Sequence, residues 1–142
     1  MNLTLRLGTP DDADRCGSIF YEAFKAIAEY HRFAPDDSLS PEVSAANFAR
    51  WLVHPRYYVI VAELDGHLVG SNVLDERSTI AGLGPITVDP AVQNRLIGRQ
   101  LMQAALQRVA ELHYPGVRLV QATYHTRSLS LYTSLGFEVR EL

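Results

Sequence analysis

Cysteine is nearly missing: Cys16 is the only one in 142 residues. A lone thiol has no partner within the chain, which excludes disulfide-stapled scaffolds and makes the reducing cytoplasm the expected location. Long apolar runs are missing too. The longest, Tyr57 to Ala62, is far short of the about 20 residues that cross a bilayer, and the start Leu3-Thr4-Leu5-Arg6 lacks the regions of a signal peptide, so no membrane partner is expected. Charge of one sign is not in large excess. Thirteen basic against sixteen acidic side chains leave a net of −3, which argues against a surface that coats nucleic acid. The five histidines show no paired spacing with Cys or carboxylates that suits zinc, and neither a Gly-x-Ser-x-Gly elbow nor a Walker loop occurs. No metal is therefore expected, and hydrolase readings fall away.

What is present suits one soluble domain: 47% hydrophobic and 20% charged residues, in a chain long enough to bury roughly 70% of its unfolded surface. Its charge is uneven. Residues 1–89 hold thirteen acids and seven bases, whereas residues 90–142 hold three acids and six bases. An anionic ligand should find the second part.

Period-two alternation of Leu3, Leu5 and Leu7 predicts a half-buried first strand. Thr9 and Pro10 then mark a helix start, and Ala13, Cys16, Phe20, Phe24 and Ile27 keep one face apolar through about Tyr30. After a polar loop from Ala34 to Ser40, the Ser40-Pro41 pair opens a second helix running to about Leu52 and stopped by Pro55. Tyr57 to Leu64 and His67 to Leu74 form a hairpin around Asp65-Gly66. Thr79 to Val88 reads as a fourth strand broken by Gly82, Gly84 and Pro85, so a bulge or a splayed edge is expected there. A helix from about Leu96 to Leu112, a fifth strand from Val117 to Tyr124, a short helix from Ser128 to Leu135 and a last strand from Phe137 to Arg140 complete the order. Gly136 stands where a helix is capped. This is a mixed α/β chain in one piece, with parallel pairing expected where strands flank a helix.

Two stretches carry chemistry. From Ile86 to Met102 a strand ends, a loop with Gln93, Arg95 and Gly98 follows, and a helix begins, so free backbone N–H groups converge where an anion is stabilised. Arg95 and Arg99 add charge, and Gly98 lets backbone come close. The bland alternative is an ordinary strand-to-helix joint with solvated arginines. The second stretch, Leu129 to Phe137, presents Leu131 and Tyr132 on a short helix ended by Gly136-Phe137.

Together, the Val88-Asp89-Pro90 strand end, the Gln-x-x-x-x-Gly helix start and the downstream Leu-Tyr-x-x-x-Gly-Phe resemble the GNAT superfamily of acetyl-coenzyme A dependent N-acetyltransferases. The resemblance implies a twisted mixed sheet, mostly antiparallel and flanked by helices, whose fourth and fifth strands splay into a cleft for acetyl-coenzyme A. It implies cofactor contacts at Ile86, Val88, Gln93, Asn94, Arg95, Leu96, Ile97, Gly98, Arg99, His125 and Ser128. It assigns Tyr132 to protonate the departing thiolate, while a backbone N–H near Val88 polarises the thioester oxygen and a small-molecule or peptide amine attacks. A phenol titrating near 10 is a suitable donor to a thiolate, although a lone Tyr packs in a core more often than it reacts.

The chain departs from the family pattern at two positions. Leu96 stands at the first glycine of the phosphate loop, and His125 stands where an asparagine is usual. Both favour the alternative reading, a catalytically silent acyl-coenzyme A binding or assembly domain of the same fold. Glu29, His31, Glu63 and Asp75 are the acids and bases near the expected cleft, and none has a motif behind it. The same resemblance implies a further strand after Phe137-Glu138-Val139-Arg140-Glu141. The expectation is therefore a single domain over residues 1–142 that continues into more chain or a second domain, or a homodimer whose partner pairs with the fifth strand.

Overall fold

The computed structural model describes residues 2–34, 39–92, 96–120 and 126–140. One mixed sheet runs in the order β1 (Leu3–Leu7), β2 (Tyr57–Leu64), β3 (His67–Asp75), β4 (Ala81–Val88) and β5 (Val117–Leu119). The first four are antiparallel neighbours. Only β4 and β5 are parallel, as the intervening helix α3 (Ile97–Glu111) requires. The β2–β3 turn has the positive φ at both Asp65 (52°) and Gly66 (84°) that matches the twist of a tight hairpin.

Helices cover both faces. α1 (Ala13–Tyr30) and α2 (Pro41–Val53) pack Cys16, Ile19 and Phe48 onto Val59, Val61 and Val73. On the opposite face, α3 and α4 (Thr126–Ser134) pack Ile97, Leu101, Met102 and Tyr132 onto Ile60, Ala62, Leu74 and Leu83. Alternation along β2 thus sends odd residues to one layer and even residues to the other. The α1–α2 crossing is close because Gly17 has no side chain: a Cβ there would lie 2.4 Å from the Ala45 backbone nitrogen. Cys16 is fully buried, and burial pushes its thiol up to about 12, so it fills space as an inert core residue.

Local starts follow the sequence signals. Ser40 Oγ accepts the Val43 N–H at 3.0 Å to cap α2. At the other helix start, Pro10–Asp12 forms a 3-10 turn before α1. There the Asp12 carboxylate accepts the Thr9 N–H at 2.8 Å and takes Arg6 of β1 in a two-pronged pair at 2.8 and 2.9 Å.

The expected break in β4 is present. Asn72 faces Ile86 and Leu74 faces Leu83, so Gly84 and Pro85 together oppose Val73 as a bulge. Among the described residues, pairing with β5 runs over Ala81, Gly82 and Leu83. Among the described residues the two strands therefore share a ladder before the Gly84-Pro85 bulge, where proline offers no N–H.

Two expectations are corrected. Strand β5 ends at Leu119, with Val120 outside it and almost fully exposed, while residues 121–125 lie outside the described residues. Phe137 to Arg140 forms no strand among the described residues. A strand exists only through a ladder partner, and alternation of apolar residues cannot supply one; Glu138 and Arg140 instead form an exposed pair with each other at 3.0 Å.

Candidate active site

The site is built where β4 hands over to α3. Strand β4 leaves the sheet at Val88, opposite Gly70, and Asp89 fixes the exit. Its N–H donates to Val69 O at 2.7 Å, one carboxylate oxygen accepts the Ala91 N–H at 3.0 Å, and the other accepts Arg15 Nη2 of α1 at 2.9 Å. The acid of the Val-Asp-Pro run is thus occupied in shaping the turn.

Helix α3 opens at Leu96, whose φ of 62° and ψ of 14° place a leucine in the left-handed region that glycine prefers. The backbone at residue 96 thus has the shape that glycine favours, although the residue is a leucine. Leu96 is 66% exposed, so no core packing accounts for its presence. The helical bond from Gln100 N–H to Leu96 O, at 3.1 Å, leaves the amides of Ile97, Gly98 and Arg99 in the first turn, at the positive end of the helix dipole. Ile97 is buried under the helix as an anchor.

Gly98 is the meeting point of three elements. A Cβ built on it would lie 3.8 Å from Leu131 Cδ2 of α4 and 3.9 Å from Val88 Cγ2 of β4, which is ordinary contact. Protein packing would therefore admit a small side chain at Gly98. Ile86 and Val88 are half-buried and face the α3 layer, on the side of β4 that looks toward Gly98.

Tyr132 sits in α4 with only 7% of its surface exposed and its ring edge-to-face on Phe137, 6.1 Å between centroids. The helix end explains that contact. Gly136 adopts φ +97°, its N–H donates to Thr133 O, and the Phe137 N–H reaches back to Tyr132 O at 3.1 Å. The left-handed glycine turns the chain so that Phe137 lands on Tyr132, which is why Gly and Phe follow the Tyr at that spacing.

The remaining sequence candidates separate. Gln93, Asn94, Arg95 and His125 lie outside the described residues, and Ser128 is placed in α4 by its backbone. Arg99 directs its guanidinium to Ser134 Oγ at 2.7 Å. Glu63 is paired with Arg6, and Asp75 is held below the usual carboxylate range by Arg77, so neither is a base at β4. Glu29 is exposed at the end of α1.

Sequence reasoning missed the Arg15–Asp89 and Arg99–Ser134 contacts. No local signal could have found them, because the partners stand 74 and 35 residues apart. A shallow groove of about 250 Å³ lies between β1, β2 and the second half of α3, but its Arg6 and Arg108 are already neutralised by Asp12, Glu63 and Glu76. Among the described residues, no group of three His, Cys, Asp or Glu side chains could hold a metal, and no helix is long and apolar enough to cross a membrane.

Solved structures share this fold from end to end. PaiA N-acetyltransferase from Thermoplasma acidophilum, in complex with coenzyme A, superposes with a TM-score of 0.82 at 20% identity over 100% of this chain and 93% of that one. A transcriptional regulator from Bacillus halodurans C-125 gives 0.76 at 19% identity, over 99% and 96% of the two chains. The AAC(6')-Iy structure with a bisubstrate analogue of coenzyme A gives 0.78 at 15% identity, over 100% and 95%. No curated protein matches the chain. The model of the acetyltransferase (GNAT) family matches residues 20–137, from the middle of α1 to the Gly136-Phe137 turn, and the chain belongs to the GNAT acetyltransferase family.

Proposed function

We propose that the chain moves an acetyl group from acetyl-coenzyme A to a primary amine by direct attack. The observation that carries this reading is the junction at Gly98, where the first turn of α3, the end of β4 and the Tyr132 helix meet in one place. Packing does not demand glycine there, so the bare backbone is best explained by a ligand that approaches from outside. A pyrophosphate suits it: the amides of Ile97, Gly98 and Arg99 supply donors, and Gln93, Asn94, Arg95 and Leu96 precede them in the chain. Ile86 and Val88 line the strand beside which pantetheine runs, and the resemblance to the family adds His125 and Ser128 as further contacts. PaiA bound to coenzyme A, a neighbour in fold, agrees with the cofactor.

In the reaction, the neutral amine nitrogen attacks the thioester carbonyl, a backbone N–H near Val88 stabilises the oxygen, and the carbon–sulfur bond breaks. Tyr132 gives its phenolic proton to the departing thiolate, and the proton lost by the amine goes to solvent. Burial keeps the Tyr132 ring in one orientation, which a general acid needs. Aminoglycoside acetyltransferases are among the neighbours in fold, which favours a small-molecule amine as the acceptor.

Coenzyme A titration by calorimetry, followed by acetylation of an amine panel (an aminoglycoside, a polyamine and a lysine peptide), tests the reading. Binding should raise the melting temperature by mass action, and Tyr132→Phe should lower kcat about a hundredfold with little change in coenzyme A affinity. No binding at millimolar coenzyme A would overturn the cofactor assignment. Unchanged turnover in Tyr132→Phe would return that ring to a packing role.

A further inference from the structure

We propose that Arg99 is a positioning residue: through Ser134 it holds α4, and with it Tyr132, against the first turn of α3. The proposal rests on the reading that Tyr132 protonates the leaving thiolate. Arg99 is the third residue of α3, where a cation is opposed by the helix dipole, so helix stability gives no reason for it. Phosphate binding is one reason for a cation there; the geometry points to another.

Arg99 Nη2 donates to Ser134 Oγ at 2.7 Å, and that same hydroxyl donates its one proton to Leu131 O, also at 2.7 Å. A hydroxyl has one hydrogen and two lone pairs, so both directions are fixed: the proton goes to the helix and a lone pair takes the guanidinium. Leu131 precedes Tyr132, and its side chain lies 3.8 Å from where a Cβ on Gly98, the residue before Arg99, would stand. The two helices are therefore tied at Arg99 of α3 to a hydroxyl whose own bond reaches from Ser134 to Leu131, on both sides of Tyr132 in α4.

The tie matters because it joins α4 directly to the first turn of α3. Phe137 to Arg140, after the helix, joins no strand, and before it β5 ends at Leu119. Packing of Leu131, Tyr132, Leu135 and Phe137 holds α4 against the core. The charged hydrogen bond is directional and adds to that packing a restraint on where α4 sits along α3. Anything that orders the start of α3 is then transmitted to Tyr132 over one side chain.

Three variants decide the matter: Arg99→Met, Ser134→Ala and the double substitution. With acetyl-coenzyme A varied against the best amine of the panel, each single variant should lower kcat about fivefold, the loss of one good hydrogen bond, with the KM for acetyl-coenzyme A shifted less than about twofold. The double variant should be no slower than Arg99→Met alone, because both changes remove one interaction. Amide hydrogen exchange of α4 in the ligand-free protein should accelerate to the same degree in both single variants. That measurement needs no substrate, so it reads the tie even if the wild type fails to bind coenzyme A, which would be a failure of the functional reading alone. A raised KM in Arg99→Met with Ser134→Ala silent would make Arg99 a phosphate ligand and overturn the proposal. Unchanged α4 exchange in both variants would overturn it as well.

Discussion

Replacing Leu96 with glycine should make the protein more stable, although it deletes a large side chain. The residue holds φ 62° and ψ 14° at the start of α3. An L-residue in that region costs about 1–2 kcal/mol through the clash of Cβ with the carbonyl oxygen. Glycine removes the clash but adds unfolded-state freedom worth up to about 1 kcal/mol. Leu96 is 66% exposed, so little apolar burial is lost. The balance favours Leu96→Gly by about 0.5–1 kcal/mol, or about 2–4 °C in melting temperature for a chain of this size. Leu96→Ala is the control, since alanine keeps the left-handed cost and loses only the side chain; it should gain nothing. Urea denaturation of the three proteins at neutral pH measures the differences, and coenzyme A calorimetry on the same samples should show tighter binding for Leu96→Gly as the loop loses its bulk. Leu96→Gly at or below Leu96→Ala in stability would refute the strain account. Weaker coenzyme A binding would show that the loop has adapted to leucine.

Other substitutions test the frame around the site. Gly17→Ala would set its Cβ 2.4 Å from Ala45 N and 2.5 Å from Ala45 Cα, which are backbone atoms that cannot swing aside. A loss of about 1–3 kcal/mol in a denaturant titration is expected, and a loss within error would mean that α1 and α2 separate freely. Glu76, nearly buried, receives Arg108 Nε and Nη2 at 2.8 and 3.0 Å, while that guanidinium stacks 4.0 Å above the Tyr58 ring. Arg108→Met should therefore cost about 3 kcal/mol by stranding the carboxylate, and adding Glu76→Leu should recover part of it, also by denaturation. Asp12 is held below the usual carboxylate range chiefly by its hydrogen bond from Arg6, against desolvation that pushes it up. A lowered carboxyl gives stability that is complete above the ordinary value and lost as pH falls through the folded one. The wild-type advantage over Asp12→Asn should hold from neutral pH to about pH 5 and shrink below about pH 4 in thermal melts, and an advantage that grows in acid would contradict the pairing.

Much of this protein is legible in one dimension because its signals are local. Helix starts at Pro10 and Pro41, the Asp65-Gly66 hairpin, the bulge at Gly84-Pro85 and the cap at Gly136 each depend on residues within a few positions of one another. The strand end, helix start and Leu-Tyr-x-x-x-Gly-Phe run were read from spacing for the same reason, and they sufficed to place the chain near its family. Periodicity failed at Phe137 to Arg140, where an alternating run has no ladder to join, and at the length of β5, because strand pairing is a contact between distant segments.

The assignment of charged side chains was decided by tertiary structure alone. In sequence, nothing names the partners of Asp89, Arg99, Glu63 and Glu76; in the fold, Asp89 closes a turn with Arg15, Arg99 meets Ser134, Glu63 answers Arg6, and Glu76 meets Arg108. Long flexible side chains find partners by position in space, so no spacing rule encodes those pairs. The sequence could say only that leucine is costly at residue 96 if glycine's conformation is required. It took the folded chain, with β4, α3 and α4 fixed around Gly98, to show that the left-handed backbone is kept.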